Sequence, residues 1–411
     1  MIPGDTNAGT WHDHRFRPRI EEKMGMQLST NEAIHWGGHF CYTGMYRSLL
    51  SGGYSKLLIA FGDHEGGDNP WLAGSVKSKS QPAFRKTFSD HLNLDFDGHH
   101  RFNSSIGDVP SRPFGTIYEN TSHAIIHKNV LIVTIDVLYQ KNPKENIGDA
   151  GSVDGQVTGP HLDWLDKVLQ QGRERAEVNH IFVQGHFPVL FPVRKNKSSG
   201  QIMTDNEKGE FWQMLKKHKV DVYFCGEVHL NTATKDDTSD LIQIASRGNQ
   251  FTNFLAVDVT EDSIDVSLYN EIGNEHIMYN YEYEQNGHLQ IRKTKQGKEI
   301  SAMGELSLLD RNAPMLHFEF EEIFRLRDRP VIGLGYLPSV KKNSPTINSV
   351  MVQGLRCLHS LPNVGQFGQT YDAQVRNITL VDGKHGKGGW FTEKSRAAII
   401  GMGPHSGMSW P

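Results

Sequence analysis

Cysteine is scarce: the 411 residues hold three, Cys41, Cys225 and Cys357. Their wide spacing and odd number make neither a CxxC zinc pair nor a disulfide framework. Long apolar runs are missing as well. The longest, Val130–Leu138, is strand-sized and far short of the ~18 residues that span a bilayer. Neither sign of charge dominates, since 43 Lys and Arg face 47 Asp and Glu for a net −4. No basic surplus advertises nucleic acid or an anionic membrane. The chain has no G-x-S-x-G elbow and no Walker A or dinucleotide glycine pattern, which removes the support for serine-triad, P-loop and Rossmann chemistry. Met1-Ile2-Pro3-Gly4-Asp5 is not a secretory leader. Either the protein is cytoplasmic, or its true N-terminus is missing, in which case a periplasmic or secreted location is expected.

What is present is core material. Hydrophobic residues make up 37% of the chain, enough for a packed interior, and the length suits two or three domains at roughly 100–200 residues each. Lys56–Phe61, Val130–Val137, His180–Gln184 and Val220–Cys225 read as buried strands. Between them, Leu162, Leu165, Val168 and Leu169 fall at helical spacing, and Asn206–His218 repeats the pattern. Strand and helix in alternation predict a layered α/β domain. Phe254–Val259, Ser263–Tyr269 and His276–Tyr283 then turn β-rich, and polar, Lys-rich Gln285–Ser301 predicts a linker. The expected division is an α/β domain over 1–285, a linker over 286–313 and a smaller β-rich domain over 314–411.

Four segments place metal-loving side chains beside glycine, three of them just past a predicted strand. They are Gly4-Asp5, Gly62-Asp63-His64-Glu65, Gly185-His186-Phe187-Pro188 and Gly226-Glu227-Val228-His229. Loops at the carboxyl ends of strands are where open α/β sheets bind ligands. Glycine lets the backbone leave the strand sharply and approach an ion. Carboxylate with imidazole suits borderline divalent metals, and two such ions clamp an in-line displacement at phosphorus.

In order and context these segments resemble the calcineurin-like metallophosphoesterases, a superfamily that includes purple acid phosphatases and many phosphodiesterases. Gly4-Asp5 matches the second family block, Gly62-Asp63-His64-Glu65 the third, Gly185-His186 the fourth and Gly226-Glu227-Val228-His229 the fifth. The first block, Asp-x-His, is absent, as expected of a truncated N-terminus. Asp63 stands where the family has Asn, and Glu227 where it has His. The resemblance implies a four-layer α/β/β/α sandwich and two divalent ions, drawn from Mn, Fe, Zn or Mg. It makes Asp5 the bridging ligand. Asp63, His186 and Glu227 hold one ion, and His229 belongs to the other. His64 assists the leaving oxygen, with Glu65 behind it. A phosphate-ester small molecule or nucleotide is the implied substrate. The carboxylates of the site disfavour a dianionic monoester, so a diester or broad specificity is expected.

Plainer readings apply elsewhere. Gly98-His99-His100, His123 and His127 read as surface or strand-edge residues, Trp11-His12-Asp13-His14 as a loop, and Cys225 as a buried small hydrophobe. From Pro314 the pattern weakly resembles a laminin-G-like or concanavalin-like β-sandwich, which implies a glycan partner. The competing function is a non-catalytic glycan- or protein-binding protein on a decayed or truncated phosphoesterase scaffold.

Overall fold

The computed structural model describes residues 17–54, 56–67, 74–95, 97–139, 154–191, 201–228, 230–247, 253–271 and 283–311, with short strands between 324 and 399. The chain divides into two compact units, Met1–Glu271 with Tyr283–Leu308, and Ile272–Glu282 with Leu309–Pro411.

In the first unit α1 (Arg17–Met24) and α2 (Thr30–Ser51) precede α3 (Val76–Lys79) and α4 (Gln81–Phe88), which runs into a π-helical turn, Ser89–Asn93. β1 (Ser105–Ile106) pairs with β2 (Val109–Pro110), β3 (His123–His127) with β4 (Val130–Thr134), and β5 (Leu138–Tyr139) with β6 (Asp154–Gly155). Next come α5 (Pro160–Glu174), β7 (His180–Gln184), α6 (Glu210–Lys217), β8 (Val222–Cys225), β9 (Thr232–Lys235) and β10 (Ile242–Ala245). A meander closes the unit: β11 (Asn253–Val259), β12 (Ser263–Glu271), β13 (Tyr283–Thr294) and β14 (Gly297–Gly304).

The main sheet has the order β3-β4-β7-β8-β10-β9. Strands β4, β7, β8 and β10 run parallel, flanked by antiparallel β3 and β9. One core packs helices on this sheet: Leu165, Val168 and Leu169 of α5 and Trp212 and Leu215 of α6 meet Leu131, Val133, Ile181 and Val183, all fully buried. The predicted helical spacing of α5 is the face that is buried. A second core lies on the other side, where Phe182, Val222, Phe224 and Ile244 face Ile264, Val266, Leu268, Leu289 and Ile291. The four-stranded antiparallel sheet β11-β12-β13-β14 therefore stacks on the mixed sheet, giving helix, sheet and sheet. Among the described residues no helical layer covers the outer face of the second sheet.

Three expectations need correction. Gln285–Ser301, for which the sequence predicts a linker, lies in β13 and β14. Its Leu289 and Ile291, two apart, are fully buried while polar neighbours face outward, so the period of a strand was present under the lysines. Within β13, Asn286 is the extra residue of a bulge, where the strand shifts register against Leu268 and Tyr269. Lys56–Phe61 is buried from Leu58 onward, and among the described residues its pairing is a single bridge at Ile59. Gln184 Nε2 donates to the Leu58 carbonyl at 3.0 Å. His123 sits on the edge strand β3 as expected, yet its ring is fully buried and stacked 3.8 Å from Phe102.

The second unit contains the antiparallel sheet β15 (Phe324–Arg325), β16 (His359–Leu361), β17 (Ala373–Arg376) and β20 (Arg396–Ile399), and the hairpin β18 (Thr379–Asp382) with β19 (Lys387–Trp390). Most of the β-rich domain expected over 314–411 lies outside the described residues, as do residues 276–282 of the β-rich stretch His276–Tyr283.

Asp221, just before β8, ties the layers of the first unit together. Its carboxylate is fully buried. It lies 2.7 Å from Lys298 Nζ, 3.3 Å from Lys293 Nζ and 3.4 Å from Arg173 Nη2. The two lysines face each other across the β13–β14 hairpin, and Arg173 ends α5. Burial alone would raise the pKa of Asp221, but the charges of Lys298 and Lys293 lower it. Removing the carboxylate strands three cations around one cavity. Asp221→Ala should cost about 3–5 kcal/mol in urea unfolding, whereas Lys298→Met, which leaves two cations on the carboxylate, should cost much less.

A pH dependence follows from buried histidines. His161 stacks on Tyr118 at 4.2 Å and shares a hydrogen bond with Ser122 Oγ at 3.0 Å. Burial, then the charge of Arg85, pulls its pKa down to about 3. Burial and Arg112 bring His100 to about 4. The unfolded chain protonates both near pH ~6.5, so stability is full above that pH and drains as pH falls towards 4. The melting temperature should drop steadily between pH 6.5 and pH 4, and His161→Asn should flatten that slope.

Candidate metal centre

Two of the predicted segments become neighbours because β7 and β8 are parallel partners. The pairing continues past each strand: Gly185 N–H donates to the Phe224 carbonyl at 3.1 Å, and Gly226 N–H to the His186 carbonyl at 2.9 Å. This brings His186 and Glu227, each the second residue past its strand, side by side. Gly185 is required where it stands, since a Cβ there would lie 2.7 Å from Tyr223 Oη.

Asp63 reaches the same point from the turn Gly62–Gly67. The turn is closed by Gly66 N–H on the Gly62 carbonyl at 3.0 Å and by Gly62 N–H on Glu65 Oε2 at 2.9 Å. Gln81 of α4 pins it from outside, donating to the Gly66 carbonyl at 2.5 Å. Gly67 turns with φ +103, and a Cβ on it would lie 2.5 Å from the Phe84 ring.

Asp63, His186 and Glu227 therefore converge. Their exposures are 1%, 1% and 4%, and one donor atom from each lies within 4.8 Å of the others. His186 Nε2 is 3.0 Å from Asp63 Oδ1 and 3.2 Å from Glu227 Oε2. Burial disfavours the imidazolium, but the hydrogen bonds and charges of both carboxylates outweigh it and raise the His186 pKa well above its ordinary value. For Asp63, burial is outweighed by the charge of His64 and the hydrogen bond from His186, and its pKa falls to about 2. Glu227 also accepts from Gln201 N–H at 3.2 Å. Its backbone sits at φ 62, left-handed for a residue with a Cβ, a conformation that costs about 1–3 kcal/mol and clusters at functional sites.

The residues fit a divalent cation. Two carboxylates sealed from water need a positive charge between them, which a protonated His186 or, with His186 neutral, a divalent ion would supply. Donors on one ion with bonds of ~2.1 Å sit roughly 3.0–3.4 Å apart, which is the spacing around His186 Nε2. Two oxygens and one nitrogen suit Mn, Fe or Zn.

Half-buried His64 follows Asp63 directly, and its backbone N–H donates to the Asp63 carboxylate. Glu65 is fully buried and accepts from Gly62 N–H, which braces the turn. Asp5 and His229 lie outside the described residues. Sequence reading missed the residues that hold the His186 loop. Tyr223 Oη donates to the Phe187 carbonyl at 2.6 Å. Gln243 Oε1 accepts from Val189 N–H at 2.6 Å and from Leu190 N–H at 2.8 Å. A glutamine between Ile242 and Ile244 in a fully buried strand was the available signal. Cys225 is the inert, buried thiol expected, its pKa raised by burial.

No family model and no curated protein matches the chain. Among solved structures it is similar to PhoD at 12% identity and TM-score 0.39, over 62% of this chain and 55% of that one, so it spans little more than half of PhoD. It is similar to the anchor of the inner membrane complex of Plasmodium at 11% identity and TM-score 0.26, over 65% of this chain and 80% of that one. A third likeness is to a Staphylococcus aureus protein described as a 5'-nucleotidase, at 14% identity and TM-score 0.26, over 61% of this chain and 38% of that one. These likenesses are distant and concern the fold alone.

Proposed function

We propose that this chain hydrolyses phosphate esters at a divalent metal centre built on Asp63, His186 and Glu227. The observation that carries the reading is the convergence of these three buried side chains on one point from three separate loops. By the family resemblance, Asp5 and His229 would help hold a second ion beside this one, and the fold would be completed to a four-layer sandwich. A bound divalent ion supplies Lewis-acid polarisation of a phosphoryl oxygen and lowers the pKa of its water. The chain's own residues do the rest. Asp63 and Glu227 provide the negative charge that retains the ion. His186 fixes the spacing between them. His64, beside Asp63, holds a proton for the leaving-group oxygen. Diesters suit the centre better than monoesters, because the two carboxylates repel a dianionic group more than a monoanionic one.

The test is hydrolysis of bis-(p-nitrophenyl) phosphate by metal-stripped chain with and without added Mn²⁺. Turnover should require the ion. Asp63→Ala and His186→Asn should lower it on the order of 100-fold or more at unchanged far-UV circular dichroism. Folded variants that keep wild-type turnover would sink the assignment.

A second expectation concerns His64. His64→Asn should slow a diester with an alkoxide leaving group far more than one with p-nitrophenolate, which needs no proton. Equal losses on both substrates would remove His64 from that role.

A further inference from the structure

Residues 201–203 are tied to both of the loops that follow β7 and β8. Met203 N–H donates to the Pro188 carbonyl, in the His186 loop, at 2.8 Å. Gln201 N–H donates to Glu227 Oε1 at 3.2 Å. The backbone of Gln201 is therefore held directly beside the Glu227 carboxylate, whose other oxygen lies 3.2 Å from His186 Nε2. The side chain of Gln201 starts from that point. Its Nε2 and Oε1 are both sealed from solvent, and among the described residues neither has a hydrogen-bond partner.

A carboxamide in that state has lost its hydration at both ends without replacement. Buried polar side chains in folded proteins are otherwise nearly always paired. A side chain that only filled space here would be apolar, as the buried Met203 is. The chemistry of the amide complements the centre beside it. Asp63 and Glu227 are acceptors that suit a cation and repel phosphoryl oxygens. An –NH₂ group brings two donors and no charge, so it meets a phosphoryl oxygen without competing with an ion. We propose that Gln201 is a substrate-binding residue of this centre: its Nε2 donates to a non-bridging oxygen of the phosphoryl group, and its Oε1 accepts from a water that accompanies the ester. The assignment rests on the phosphate-ester reading above, and inorganic phosphate is the smallest ligand that carries the recognised group.

The experiment titrates inorganic phosphate calorimetrically into the full, Mn²⁺-loaded chain, with Mn²⁺ affinity measured separately by electron paramagnetic resonance. Gln201→Met keeps the length of the side chain and removes both polar atoms. It should bind Mn²⁺ as wild type does and melt no lower than wild type, because an unpaired amide has been removed. It should bind phosphate on the order of tenfold more weakly. Gln201→Glu replaces the donor with negative charge, so it should weaken phosphate further while holding Mn²⁺ at least as tightly. Values of kcat/KM for bis-(p-nitrophenyl) phosphate should fall in the same order. Unchanged phosphate affinity in both variants, with Mn²⁺ bound as in wild type, would overturn the role of Gln201 alone. A parallel loss of Mn²⁺ affinity in Gln201→Met would overturn it too, by making Gln201 a metal ligand. A wild-type chain that binds no Mn²⁺ would remove the centre itself, and the role of Gln201 with it.

Discussion

The parallel pairing of β7 with β8, carried past both strand ends by two backbone hydrogen bonds, is the constraint on which the candidate centre rests. Parallel strands in register bring their carboxyl ends to one edge of the sheet. Whatever follows Gln184 and Cys225 is then adjacent by construction. His186 and Glu227 need no long loop to find each other, and only Asp63 arrives from elsewhere. The two hydrophobic cores keep that register. Helices α5 and α6 hold one face of the sheet and the β11–β14 meander holds the other.

This arrangement carries an electrostatic load. Two carboxylates and an imidazole are almost fully withdrawn from water, and Glu227 adopts a left-handed backbone to take part. Such a cluster is a poor stabiliser by itself. Its supports are correspondingly specific: Gln81 on the Gly66 carbonyl, Tyr223 on Phe187, and Gln243 on Val189 and Leu190. Rigid neighbours hold the geometry that the charges alone would push apart.

Much of this was legible in the sequence, and for identifiable reasons. The spans of β7 and α5 followed from apolar runs and helical spacing. Asp63, His186 and Glu227 stood out because each follows a glycine past an apolar run. The braces were harder to see, because they act over long sequence distances: Gln243 lies more than fifty residues from the loop it pins. The β13–β14 hairpin hid behind its lysines. Their charge reads as solvated linker until Asp221, distant in sequence, is seen to collect Lys293 and Lys298. His123 reads as a strand-edge residue because nothing local announces the Phe102 ring stacked on it. The alternation of helix and strand implied layers but not how many. The described residues show helices on one face of two stacked sheets.

The most direct measurement is a crystal structure of the chain soaked in Mn²⁺, with anomalous scattering recorded at the metal edge. The account predicts an anomalous peak bonded at ~2.1 Å to oxygens of Asp63 and Glu227 and to Nε2 of His186. No peak at saturating Mn²⁺, with a protonated His186 still hydrogen-bonded to both carboxylates, would contradict it.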